Sequence, residues 1–240
     1  VEHTPSGRPL QSHDLLGRTA EGAAPDERMK AIAGYVNTLV QDGDTVQVGA
    51  GRASEGLVVA GLFDGKHDLG WHSEATPRGV IPLIRQGVIN GSRKTLHRGK
   101  AVATAFGGGA PEDLQFVHMN PMFELYSVEH VDDIRTIAAH DNMLAINEAL
   151  MVDLTGQVNA ESFGPMMYSG AGGQTAFAIG AVLSRGGRSV TVAPSTARGG
   201  QVSRIVPMLP EGSVVTVPRN ATAIVASVLE RCKHAWANWR

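Results

Sequence analysis

The chain has one cysteine in 240 residues, Cys232. A lone thiol forms no intrachain disulfide and supplies no Cys pair with metal spacing, which excludes a disulfide scaffold and fits a cytoplasmic protein better than a secreted one. The nine histidines show no H-E-x-x-H or H-x-H arrangement, so no metal site is expected. Long apolar runs are missing as well. None reaches the roughly 18 to 20 residues of a membrane span, and the opening VEHTPSGRPL lacks the basic and apolar regions of a signal peptide. Neither sign of charge is in excess: 21 Lys and Arg stand against 23 Asp and Glu, a formal net charge of -2. That balance offers nucleic acid no global positive field, so neither nucleic acid nor a membrane is expected as a partner. A G-x-S-x-G elbow is absent too, which disfavours a serine hydrolase of that type.

What the chain does have is a hydrophobic share of 42%, enough for a substantial core, and 29 glycines gathered in short clusters. Residues 1–25 mix Pro, Gly, Ser and His without apolar periodicity and read as a leader or linker; residues 26–240 read as the folded domain. From Asp26 to Gln41 apolar residues recur at helical spacing behind an acidic first turn. TVQVGAG followed by SEGLVVAGLF gives strand, glycine turn and helix, and the pattern repeats. LGWHSE precedes RGVIPLIRQGVI, AVATAFGGG precedes PEDLQFVHM, and FELYSVE precedes VDDIRTIAAH. Such alternation predicts an α/β fold with a mostly parallel central sheet flanked by helices. NMLAINEALMVDLTGQVNAES suggests an antiparallel excursion of two or three strands. GGQTAFAIGAVLSRGG reads as a helix, RSVTVAPST, SRIVPML and SVVTVPR as strands, and NATAIVASVLERCKHAWANWR as an Asn-capped helix.

Four stretches could carry chemistry. GAGRASEG, from Gly49, follows a strand and opens a helix, so its amides could cradle a phosphate or a pantetheine amide; a plain tight turn explains the spacing equally well. SGAGGQ also sits before a helix, where the amides of Gly172 and Gly173 could form an oxyanion hole, or the glycines could serve only a left-handed turn. RKTLHRGK, residues 93–100, packs four cations and a histidine into eight residues; a solvated basic turn is the better reading than an anion site. Glu74, in GWHSEATPRG, stands where an apolar run meets a helix. It is a candidate nucleophile or base, but on spacing alone a carboxylate suited to the dipole of a helix's first turn is the better reading.

Taken in order, DGDTVQVGAG, LGWHSEATPRGV, GVINGSRKTLHRGKAVATAF, HDNMLAINEALMVDLTGQVNAES, MMYSGAGGQTAF and APSTARGGQVSRIVPML resemble the C-terminal domain of the acetyl-CoA hydrolase/transferase family across residues 27–219. The resemblance implies a CoA-transferase-like domain with some antiparallel strands, and an enzyme that takes acyl-CoA and a small carboxylate as substrates. It implies coenzyme A as substrate, with no permanently bound cofactor. Glu74 is then the nucleophile, attacking a thioester and passing through a glutamyl-CoA thioester. Gly172 and Gly173 become backbone donors to oxyanions, and Gly49, Ala50, Gly51, Arg52, Ala53 and Gly170 lie along CoA. An acyl-CoA hydrolase and a noncatalytic CoA-binding subunit or fragment are the alternative functions.

Three departures accompany the resemblance. The family's V-N-D-P stretch reads HVDDI here, putting Asp132 where an Asn donor is usual, and an ionised carboxylate cannot donate. The family's H-T-E-M-F-S-D-G reads HSEATPRG. The family's N-terminal α/β domain does not precede this region, and the tail after Arg219 does not match, so an oligomer or a partner subunit supplying that domain is expected.

Overall fold

Seven short runs pair side by side into one sheet in which every neighbouring pair is parallel. They belong to a computed structural model that describes residues 24–227 apart from Gly108. Most of the expected leader, Cys232 and the end of the expected C-terminal helix lie outside the described residues. The chain enters through α1 (Glu27–Asn37), whose N-cap Asp26 accepts a hydrogen bond from the Met29 N–H at 2.8 Å. It then alternates: β1 (Thr45–Val48), α2 (Arg52–Val59), β2 (Gly70–Ala75), α3 (Val80–Arg85), β3 (Ala101–Ala105), α4 (Pro111–Val117), β4 (Phe123–Leu125), α5 (Val128–Val131), α6 (Ile134–Ala138) and β5 (Met143–Glu148).

Short antiparallel pieces follow. These are β6 (Met151–Asp153) with β7 (Val158–Asn159), and β8 (Ser162–Phe163) with β9 (Met166–Met167). Helix α7 (Gln174–Leu183) leads to β10 (Arg188–Val192). Beyond it, β11 (Thr196–Ala197) pairs with β12 (Val202–Ser203), β13 (Ile205–Val206) runs parallel to β6, and β14 (Ile224–Ala226) closes the main sheet.

The sheet order is β14-β10-β5-β1-β2-β3-β4. Both faces are covered, which is why its strands read as continuous apolar runs. On one face Val46, Trp71, Leu144 and Ile146 pack with Ile32, Leu57 and Val80. On the other, Val102, Met143 and Ala145 pack with Val131, Ile137 and Phe177. No helix among the described residues is long and apolar enough to cross a membrane.

Four expectations change. NMLAINE is not an antiparallel excursion: it forms β5, a middle strand of the parallel sheet, and only β6 and β7 turn back. SVVTVPR forms no strand; it contributes a single bridge from Val217 to Val158. SRIVPML splits between β12 and β13. The segment after Asn220 starts as strand β14, not helix, because Ile224, Val225 and Ala226 find an open edge on β10. Cross-strand hydrogen bonds there outweigh the weak helical preference of an Ala-containing run.

Candidate active site

The chain runs outward from β1 through β2, β3 and β4, then returns to place β5 on the other side of β1. Segments leaving β1 and β5 therefore diverge, and in an open parallel sheet such a reversal leaves a crevice at the carboxyl ends of the strands. A cavity of about 650 Å³ lies there. Its walls are the end of β1 with Gly49–Gly51, the end of β5 with Asn147 and Glu148, Glu74 of β2, and the loop Gly170–Gly173 ahead of α7.

The sequence-predicted residues Gly49, Ala50, Gly51, Glu74, Gly170, Gly172 and Gly173 thus line one cavity, although they come from three separate parts of the chain. Arg52 and Ala53 open α2 next to it, but their side chains lie outside the described residues. The basic stretch RKTLHRGK lines none of it, and it is not a fully solvated turn either. Lys94 is buried, donating to the carbonyls of Trp71 at 2.8 Å and Lys100 at 3.0 Å, and burial pushes its ammonium down to about 7. It ties the start of β2 to the start of β3.

Glu74 lies in β2, and the nearest helix downstream begins only at Val80, so it is not a first-turn carboxylate of that helix. Pro77 interrupts the path, and Gly79 enters α3 with a left-handed φ of 92°. The helix that Glu74 does meet is α7, nearly a hundred residues on. The N–H of Gly173, its N-cap, donates to Glu74 Oε2 at 2.9 Å. That donor and the positive end of the helix dipole favour negative charge on this oxygen.

Close packing explains why the loop is glycine. A Cβ on Gly173 would lie 2.4 Å from Asp132 Oδ2 and 2.7 Å from Glu74 Oε2. Gly172 has a φ of 53°, which turns the chain so that the next N–H faces the carboxylate. Opposite, Ser54 Oγ donates to the Gly49 carbonyl at 2.7 Å and anchors the other glycine turn.

Beneath the cavity, Gln47 of β1 and Asn147 of β5 exchange amide hydrogen bonds at 2.9 and 3.1 Å, both buried. Glu148 presses on Gly51, where a Cβ would come within 2.4 Å of its Oε2. Sequence reasoning missed all three. Their signal was available: polar residues interrupting apolar strands near their carboxyl ends, in TVQVG and LAINE.

Strand alternation sends His72 to the same side as Glu74. Its Nε2–H donates to the Val131 carbonyl at 2.9 Å, which fixes the tautomer because a carbonyl only accepts. His72 is fully buried, and burial followed by the nearby Lys94 charge pushes its imidazole down to about 3. The next residue after Val131 is Asp132, whose Oδ2 closes in on Gly173 beside Glu74 Oε2; desolvation first and the Glu74 charge second push its carboxyl up to about 7. The geometry therefore collects a carboxylate with a helix N-terminus behind it, a second carboxyl beside it and a cavity in front.

Residues 109–228 match the model of the acetyl-CoA hydrolase/transferase C-terminal domain. The 4-hydroxybutyrate coenzyme A transferase of Clostridium kluyveri is 44% identical over 198 residues, which are 82% of this chain and 46% of that protein. The succinyl-CoA:cyclohexane-1-carboxylate CoA transferase of Geobacter metallireducens is 42% identical over 80% of this chain and 43% of its own length. Among solved structures, RipA from Yersinia pestis superposes with a TM-score of 0.78 at 38% identity, covering 85% of this chain and 46% of that one. The chain spans about half the length of these relatives. On the family-model match and the identity to these relatives, the chain belongs to the acetyl-CoA hydrolase/transferase family.

Proposed function

We propose that the protein transfers CoA from an acyl-CoA to a carboxylate, with Glu74 as the nucleophile. The observation that carries this reading is the Glu74 carboxylate at the cavity wall with the α7 N-terminal amide on Oε2. A Glu74 oxygen attacks the thioester carbonyl; the C–S bond breaks, giving an acyl-glutamyl anhydride and CoA thiolate. The thiolate attacks the Glu74 carbonyl of the anhydride, forming a glutamyl-CoA thioester and releasing the first carboxylate. An incoming carboxylate then attacks that thioester, re-forming an anhydride and the thiolate, which attacks the new acyl carbonyl and frees Glu74. A carboxylate suits this cycle because its anhydride and thioester stay as reactive as the substrate, whereas a serine ester would not return CoA.

Negative charge develops on the Glu74 carbonyl oxygen whenever it is attacked, and the Gly173 N–H already points at Oε2. The CoA-transferase names of the relatives support this class of reaction. Gly49–Gly51 and Gly170 face the cavity and serve as its CoA-contacting backbone. The chain spans about half of its relatives, and the proposed activity is that of a molecule that also holds the region corresponding to the rest.

The test is chemical trapping. Incubation with acyl-CoA, borohydride reduction and peptide mass spectrometry should find Glu74 reduced, and Glu74→Gln should abolish the product. An unmodified Glu74 in protein that binds CoA would point to a noncatalytic CoA-binding role. Acyl-CoA loss that is unaffected by added acetate would favour hydrolysis over transfer.

A further inference from the structure

We infer that Glu74 and Asp132 share one proton, that Asp132 is its resting holder, and that the site acylates only while Asp132 keeps it. The inference about the shared proton stands on geometry; its catalytic half rests on the reading of Glu74 as nucleophile.

Glu74 Oε2 and Asp132 Oδ2 reach the same point beside the Gly173 α-carbon, 2.7 and 2.4 Å from where a Cβ would stand. Two ionised carboxylates in that position repel, while one proton converts the contact into a hydrogen bond. The donors available decide which group keeps it. Glu74 has the Gly173 N–H. Asp132 Oδ1 is buried with no hydrogen-bond partner. A charge on Asp132 is therefore the less compensated of the two.

The adjacent aspartate makes the contrast within one dipeptide. Asp133 caps α6, accepting from the Thr136 N–H at 3.2 Å, Thr136 Oγ1 at 3.1 Å and Arg135 Nε at 3.2 Å. Although desolvation opposes it, those donors hold its carboxyl below the usual range. Asp132, one residue earlier, receives none of them.

The elements packed around Asp132 bring little else that titrates. Helix α7 and strand β3 have no ionisable side chain. From β2 come Glu74 and His72, the latter held neutral by burial; behind it His140 is pushed down to about 2 by burial. Arg135 of α6 is turned to Asp133, and His130 of α5 to His97. Glu129 of α5 is exposed. Lys94 lies under Trp71 on two carbonyls. The position itself is fixed by His72, which grips Val131 from the strand that carries Glu74, so one strand sets both members of the pair.

When Glu74 is attacked as an acyl carbonyl, its oxygens gain negative charge. A protonated Asp132 donates to that charge, and an ionised one opposes it. As pH rises through the Asp132 titration near neutrality, Glu74 adduct formation should fall about tenfold per pH unit. Asp132→Asn keeps a donor at every pH and should make the profile flat, while Asp132→Ala should be slow throughout.

The experiment has two arms on the full chain. In carboxyl-labelled protein, carbon NMR should show Asp132 titrating well above the ordinary carboxylate range, and at lower pH once Glu74→Gln removes the neighbouring charge. Ordinary titration, or no response to Glu74→Gln, overturns the shared proton. In the second arm, borohydride trapping of the Glu74 adduct is followed from about pH 5 to about pH 9, a window of about two units on each side of neutrality. An identical alkaline fall in wild type and Asp132→Asn overturns the catalytic role while leaving Glu74 as nucleophile. No adduct in any variant rejects the nucleophile and with it the catalytic role, and the NMR arm still decides the shared proton.

Discussion

The two glycine turns on either side of the cavity look alike in sequence, and the structure uses them differently. Gly49–Gly51 has ordinary backbone angles at its last residue, the α2 N-cap Gly51 with φ -75°; glycine is needed because Asn147 and Glu148 crowd the places where Cβ atoms would be. Gly172–Gly173 combines a left-handed residue with one that two carboxyl oxygens have closed in on. The first turn is shaped by side chains pressing on backbone from below. The second presents a backbone donor to a side chain. Glycine clustering is therefore a signal of close approach, and only the partners tell bracing from chemistry.

Alanine scanning of these positions sharpens that division. Gly173→Ala should have the largest effect, since its Cβ has no room beside Glu74 and Asp132: Glu74 adduct formation should drop by about 10² to 10³, the usual loss for one oxyanion donor. Retention of wild-type trapping rates in that variant would mean the amide is not a donor to the reacting group. Gly51→Ala comes next, and its defect should be in folding more than chemistry. Displacing Glu148 is expected to cost about 1 to 3 kcal/mol in denaturant titration, as overpacking typically does. Gly170→Ala should be the mildest. A Cβ there meets nothing within 4 Å, so stability should stay within about 0.5 kcal/mol of wild type even though the residue lines the cavity. If Gly170→Ala instead weakens CoA binding as measured by calorimetry, the ligand fills the space that the free protein leaves open.

Much of this architecture was legible in the residues. The repeated apolar run, turn and helical segment gave the parallel sheet because a strand buried on both faces has to be apolar along its length, as Met143, Leu144, Ala145 and Ile146 of β5 are. Placing Glu74 beside the SGAGG loop came from the resemblance to a family, and no spacing rule would have joined positions 99 residues apart. Local rules misled where long-range partners decide. The charge density of RKTLHRGK suggested solvent, yet Lys94 is 3% exposed because two carbonyls wait for it inside. The tail after Asn220 had a cap and alanines, but an unfilled edge on β10 took Ile224–Ala226 as a strand. Asp132 was visible as a departure from the family, while its company was not: a burial environment is a property of the folded chain.

The crossing hydrogen bonds at the cavity have a consequence for how the site comes into being. The Gly173 amide reaches Glu74 over 99 residues, and the Gln47–Asn147 pair spans 100. Contacts that long form after local structure, because closing the intervening chain costs entropy first. A nascent chain that has made β2 but not α7 holds Glu74 as an ordinary exposed side chain, with neither donor nor cavity. On the proposed reading of Glu74 as nucleophile, its reactivity is thereby withheld until folding is nearly complete.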